Sequence, residues 1–167
     1  MATGSSKKLV VTSSAFEDGG TMPSTHTCHG DNVSPDISWQ GVPEGTASLV
    51  LIMEDRDVPH PRLPLFPWVH WVVYNIRPHV DSLPEAVPRL ERMENGAQQG
   101  RTSFGRAGYR GPCPPFGTHR YYFQVYALDR VIDLEPRAAT KKALQQAMDG
   151  HVLAEGVLIG RYGRQRG

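Results

Sequence analysis

Apolar residues in this chain fall into short runs of strand length, divided by stretches of glycine, proline and small polar residues. Leu9 to Ser13 is a brief β-prone run. Phe16 to Pro35, dominated by Gly, Thr, Pro, Asn and Asp, predicts extended loop. Ile37-Ser38-Trp39 has strand character and stops at Gly41. Ser48 to Met53 is a continuous apolar run of buried-strand length, halted by the charged Glu54-Asp55-Arg56-Asp57. Trp68 to Ile76 predicts another strand, rich in Val, Trp and Tyr. Pro78 to Arg106 is long, polar and irregular, which predicts a functional or mobile loop. Tyr121 to Leu128 alternates and predicts a strand with one buried face. Thr140 to Met148 is the clear helix, with Ala143, Leu144, Ala147 and Met148 as a narrow apolar stripe. Thr140 is placed to cap its start and Gly150 to follow its end. Val157 to Tyr162 predicts a last strand. Strands in series with one late helix, and no internal repeat, imply an all-β antiparallel sandwich rather than a parallel α/β sheet.

Composition narrows the function classes. A length of 167 residues suits one domain, 1–167, with a real core and residues 1–8 as a flexible tail. With 18 Lys and Arg against 17 Asp and Glu, no global field draws the chain to nucleic acid or to an anionic membrane. Met1 to Lys8 is polar, unlike a signal peptide, and no apolar run reaches the length of a membrane span. Cys28 and Cys113 are too few for a disulfide scaffold, so the simple expectation is reduced thiols and a cytoplasmic setting.

Candidate chemistry gathers in three places. Gly108 to Phe123 is a rigid Gly/Pro loop that empties into His119, Arg120 and Tyr121, a pre-shaped segment suited to anion binding or to an ordinary turn before a core strand. Asp55 and Asp57, one residue apart after the apolar run, suit a metal, acid–base work or simple solvation at a strand end, the last being the plainest reading. His70 sits inside the strand Trp68 to Ile76, as a ligand or as a hydrogen-bonded core residue. Two sets of ligand-type residues, His26, Cys28, His29 and Asp31, and Asp55, Asp57, His70 and His119, lack regular zinc spacing, so no metal and no cofactor is expected. No Ser-x-x-Lys, Gly-x-Ser-x-Gly or Walker loop is present. Cys113, close in sequence to His119, is either a loop thiol or a nucleophile, and the loop thiol is preferred. The expectation is a binding protein and not an enzyme.

Several separated motifs, in order, resemble the phosphatidylethanolamine-binding protein family, also called Raf kinase inhibitor-like proteins. Asp55-Arg56-Asp57-Val58-Pro59 is similar to its Asp-Pro-Asp-Ala-Pro signature, followed by His70-Trp71. The loop Gly111-Pro112-Cys113-Pro114-Pro115-Phe116-Gly117-Thr118-His119-Arg120-Tyr121 is similar to its Gly-Pro-Pro-x-Gly and His-Arg-Tyr signature. His26-Thr27-Cys28-His29-Gly30, Asn32-Val33-Ser34-Pro35, Met148-Asp149-Gly150-His151 and Gly160-Arg161-Tyr162 resemble its prokaryotic-type branch. Coverage runs from about Phe16 to Tyr162. Three departures stand out: Arg56 replaces the usual proline, His29 stands where an acid is usual, and Cys113 where proline is common.

The resemblance implies a sandwich of a large and a small sheet, with a few short helices near the C-terminus. It implies a shallow pocket for phosphate-type anions or phosphoryl head groups, lined by Asp55, Asp57, His70, Gly111, Pro112, His119 and Tyr121. Pro59 and Trp68 would shape its wall. Glycine N–H groups, the phenol and the imidazoles would donate to the anion, while a carboxylate would accept from an ethanolamine ammonium, so a zwitterion is the expected ligand. Relatives inhibit kinases or serine proteases, which makes a protein partner at Pro59 to Pro67 or Pro78 to Arg106 the alternative reading. A metal- or Cys-dependent hydrolase comes third. Relatives of this branch are often homodimers, and a homodimer is the assembly this implies.

Overall fold

Continuity of the apolar runs at 48–53 and 68–76 has a structural cause: their sheet is covered on both faces. The computed structural model describes residues 7–163. Its strands are β1 (Lys7–Lys8), β2 (Val10–Thr12), β3 (Ile37–Gln40), β4 (Ser48–His60), β5 (Leu63–Ile76), β6 (Ser82–Leu83), β7 (Gln98–Gln99), β8 (Thr118–Leu128) and β9 (Val152–Gly163). One helix, α1 (Lys141–Met148), and 3-10 turns at Ser24–His26 and Pro136–Ala138 complete it. A six-stranded sheet has the order β1-β9-β8-β4-β5-β7, and a three-stranded sheet the order β2-β3-β6. Every pairing is antiparallel except β1 with β9. The predominantly β, two-sheet class expected from the sequence is what the structure shows.

Alternation explains the rest. Leu49, Leu51, Met53, Trp71 and Val73 point into a core shared with Val11, Ile37 and Trp39 of the small sheet. Val50, Ile52, Val72 and Tyr74 point the other way, to Leu144 and Met148 of α1 and to Ile132. A strand buried on both sides reads as an unbroken apolar run. The helix is capped as its sequence predicts: Thr140 Oγ1 accepts from the Ala143 N–H at 3.2 Å, and Gly150 follows with φ +79°.

Two expectations about boundaries are corrected. The acidic cluster does not end β4, which runs on to His60. Glu54 is buried and accepts from Lys141 Nζ at 2.6 Å, Gln124 Nε2 at 2.7 Å and Arg56 Nη2 at 3.2 Å, so its charge stays within the strand. Pro59 to Pro67, the candidate partner segment, is largely exposed but is strand rather than loop: it forms the arms of the β4–β5 hairpin, with the turn at Pro61 and Arg62. Of the expected tail, residues 1–6 lie outside the described residues, while Lys7 and Lys8 pair with Ala154 and Glu155.

Candidate functional site

Three adjacent strands deliver the polar cluster. Asp55 of β4 lies opposite Tyr121 of β8 on one side and Trp68 of β5 on the other. Register shifts flank Asp55 in the β4–β5 ladder, and such bulges re-aim side chains. His119, two residues from Tyr121, shares its face, and His70, two residues from Trp68, shares that one's. The rings meet as a result: His70 stands edge-on to Tyr121 at 5.4 Å between centroids, and His119 stacks on Tyr121 at 6.4 Å.

Asp55 and Asp57 are buried, which overturns the strand-end solvation reading. Asp55 Oδ1 accepts from the Asp57 N–H at 2.8 Å, and Oδ2 lies 2.6 Å from His119 Nδ1. Asp57 turns elsewhere. Its Oδ2 accepts from the Arg120 backbone N–H at 2.8 Å and from Arg120 Nε at 3.0 Å, and its Oδ1 from Arg120 Nη2 at 2.9 Å. Burial alone would raise the Asp57 pKa, but the Arg120 hydrogen bonds and charge outweigh it and hold the carboxyl below its usual value. Each carboxylate oxygen of the pair thus has at least one partner within the protein.

The two histidines are not equivalent. His119 Nε2 lies 3.0 Å from the Phe116 carbonyl, which can only accept, so both ring nitrogens already have protein partners. His70 Nδ1 donates to the Arg110 carbonyl at 2.6 Å, which leaves Nε2 free of any bond among the described residues. Burial depresses the His70 pKa below the ordinary histidine value, although the Arg110 bond and Asp55 oppose it. The ring is therefore neutral at neutral pH, with an Nε2 lone pair that no donor fills among the described residues. Beside it the Tyr121 hydroxyl is buried and lacks a partner: it lies near Asp55 without completing a bond. Burial and the neighbouring Asp55 raise its pKa, so it remains a phenol donor.

The Gly/Pro loop makes a close contact with segment 24–32. The Gly111 N–H donates to Asn32 Oδ1 at 2.7 Å, and a Cβ there would fall 1.9 Å from the His26 carbonyl oxygen. The Pro112 carbonyl accepts from the Cys28 N–H at 3.1 Å. Glycine and proline here let the loop press onto segment 24–32; the Gly111 N–H is not available to an anion. A disulfide joins Cys28 to Cys113 at that contact, so the reading of two reduced thiols is corrected, and with it the cysteine argument for a reducing compartment. Cys113 is accordingly no free nucleophile. No group of three or more His, Cys, Asp or Glu side chains gathers at metal-binding geometry among the described residues.

Other expected positions are peripheral. Trp68 is half-buried, and Pro59 is exposed on the hairpin arm. Arg56 is not at the cluster's rim: its guanidinium stacks 3.9 Å over the Tyr122 ring on the opposite face. His29 Nδ1 pairs with the Tyr162 hydroxyl at 2.8 Å. Sequence reading missed Phe104, whose ring stands edge-on to both Trp68 (5.5 Å) and His70 (5.4 Å). It also missed Arg110, whose carbonyl fixes the His70 tautomer. Phe104 lies in irregular chain outside every motif, and Arg110, though within the Gly108 to Phe123 loop, acts through its backbone carbonyl, which no side-chain pattern marks.

The phosphatidylethanolamine-binding protein family model matches residues 12–163. A UPF0098 protein of Methanothermobacter thermautotrophicus is 51% identical over 150 residues, covering 90% of this chain and 95% of its own length. The crystal structure of a phosphatidylethanolamine-binding protein homologue from Chlamydia trachomatis superposes with a TM-score of 0.85 at 42% identity, covering 96% of this chain and 100% of that one. E. coli YbcL, described as a member of the mammalian PEBP family, gives a TM-score of 0.83 at 32% identity over 95% of this chain and 99% of that one.

Proposed function

The chain belongs to the phosphatidylethanolamine-binding protein family, and we propose that it is a binding protein, not an enzyme, whose cluster at Tyr121 and His70 takes a phosphoryl oxygen of a small anion or head group. The Tyr121 hydroxyl carries the proposal. A buried hydroxyl without a protein partner costs about 1–3 kcal/mol, and a bound oxygen at this position removes that cost. His70 Nε2, also uncommitted, supplies the second contact. It accepts from a protonated phosphoryl oxygen when neutral, and donates as imidazolium. Asp55 and His119 act as the frame that holds Tyr121 and its surroundings in place. Phe104, edge-on to His70 and partly exposed, is the side chain we propose moves to admit the ligand.

Calorimetric titration with O-phosphoethanolamine, inorganic phosphate and sulfate tests the reading. Tyr121→Phe and His70→Ala should each weaken binding about tenfold or more, equivalent to about 1.4 kcal/mol. Equal affinity in wild type and both variants would reject this site. A second reading has one observation in its favour. The hairpin exposes Leu63, Leu65 and Phe66, an apolar tip suited to a protein partner such as a kinase or protease that the chain would inhibit. A Leu65→Ser/Phe66→Ser double variant that lost inhibition in a protease or kinase panel, with anion binding intact, would favour it.

A further inference from the structure

We propose that the cleft between segment 89–91, the loop 101–110 and the 3-10 turn at Pro136–Ala138 is a second anion site, which takes a small molecule bearing two or more clustered phosphoryl groups. The cleft measures about 500 Å³, and its walls include Arg89, Arg101, Arg106, Arg110 and Arg137 against the single acid Glu91. In a chain whose formal net charge is only +1, five guanidinium groups in one cleft are a strong local segregation of charge.

Backbone bonds fix where these side chains start. The Arg101 N–H donates to the Ala139 carbonyl at 3.0 Å, which ties the loop to the 3-10 turn. Thr102 closes the 102–106 turn by donating from N and Oγ1 to the Arg106 carbonyl at 3.1 and 2.9 Å. Arg89 is locked by donating from Nε to the Tyr109 carbonyl at 2.7 Å and from Nη2 to the Asn32 carbonyl at 2.6 Å. Glu91 contributes little neutralisation, since it lies 4.0 Å from Arg137 with both side chains largely exposed. Among the described residues Arg101, Arg106 and Arg110 have no carboxylate partner.

A second, independent observation is Arg110 Nε, which is buried and unpartnered. Desolvation first, and then the charges of Arg106 and Arg89, make this guanidinium less basic than usual. A guanidinium fork matches a phosphoryl group bidentately, and several forks around one cleft match several such groups. A single carboxylate or monoanion would leave most of the charge unmet. The site is distinct from the His70 cluster, although Arg110 touches both: its carbonyl accepts from His70 Nδ1, and the residue also lines the cleft.

Calorimetry with tripolyphosphate and with inorganic phosphate tests this on wild type, Arg101→Gln/Arg106→Gln and His70→Ala. Both substituted arginines are exposed and unpaired, so the double variant should keep its fold. Tripolyphosphate should bind at least about tenfold tighter than phosphate, weaken steeply between about 50 and 200 mM salt, lose about tenfold or more in the double variant, and change little in His70→Ala. Adenosine triphosphate and inositol trisphosphate, titrated alongside, separate a nucleotide from a lipid-head-group source of the same chemistry. Absence of saturable tripolyphosphate binding, or an affinity unaffected by Arg101→Gln/Arg106→Gln, overturns the proposal. Loss in His70→Ala alone overturns it too, by placing the ligand in the other site.

Discussion

Asp57→Asn separates a structural acid from a ligand-binding one. Asp57 is buried and accepts three bonds from Arg120, one from the backbone and two from the guanidinium. An amide keeps one oxygen acceptor but turns an NH2 donor toward another donor, so at least one bond is lost and a donor pair is set face to face. Bonds to charged groups contribute about 1.5–3 kcal/mol each. The Arg120 side chain is 46% exposed, so water replaces much of what its guanidinium loses, and that part is discounted to about 1 kcal/mol. Together with an imperfectly satisfied backbone N–H, the cost is about 2–3 kcal/mol. With a urea m-value of about 2 kcal/mol/M, the unfolding midpoint at neutral pH should fall by about 1–1.5 M, read from tryptophan fluorescence. The folded Asp57 pKa is depressed, so its contribution is present above the unfolded value of about 3.9 and fades as pH falls through the lower folded one. The penalty of the variant should therefore shrink in strong acid. A variant as stable as wild type at neutral pH, but unable to bind phosphoethanolamine, would refute the structural assignment.

Three further outcomes follow from the same geometry. His70 has a depressed pKa in the folded state, so its contribution to stability is complete above the unfolded value of about 6.5 and declines as pH falls through the folded one; His70→Gln should flatten that part of the pH–stability curve measured by urea denaturation. Phe104→Ala should raise the His70 pKa toward the ordinary value by admitting water, and should speed ligand association; an unchanged NMR titration would show that Phe104 does not seal the cluster. Gly111→Ala should destabilise the protein by more than about 3 kcal/mol or prevent folding, because its Cβ would meet the His26 carbonyl at 1.9 Å, and a normal melting curve would show that the loop yields.

The sheet architecture was legible because alternation and run length report burial directly, and the cap at Thr140 because its chemistry is local. The spacing of Asp55 and Asp57 was misleading. Regular alternation puts them on one face, but the bulge after Asp55 sends one to His119 and the other to Arg120. A bulge is set by the register of three strands and leaves no mark in the spacing of two residues. The Gly/Pro loop likewise suggests donors for an anion, whereas its small residues permit a close approach to segment 24–32, a contact between positions about eighty residues apart. Convergence of Asp55, His70, His119 and Tyr121 was visible only through the family resemblance. Which histidine keeps a free nitrogen depended on two carbonyls, of Arg110 and Phe116, that no side-chain pattern encodes.

The most direct test of a phosphoryl site at Tyr121 and His70 is long-range 1H–15N correlation of the histidine rings during titration with O-phosphoethanolamine at about pH 6. His70 Nε2 should move saturably from an unprotonated toward a protonated shift, lose that response in Tyr121→Phe, and leave His119, committed at both nitrogens, nearly still. Saturable binding seen by calorimetry with the His70 ring unmoved would contradict the assignment.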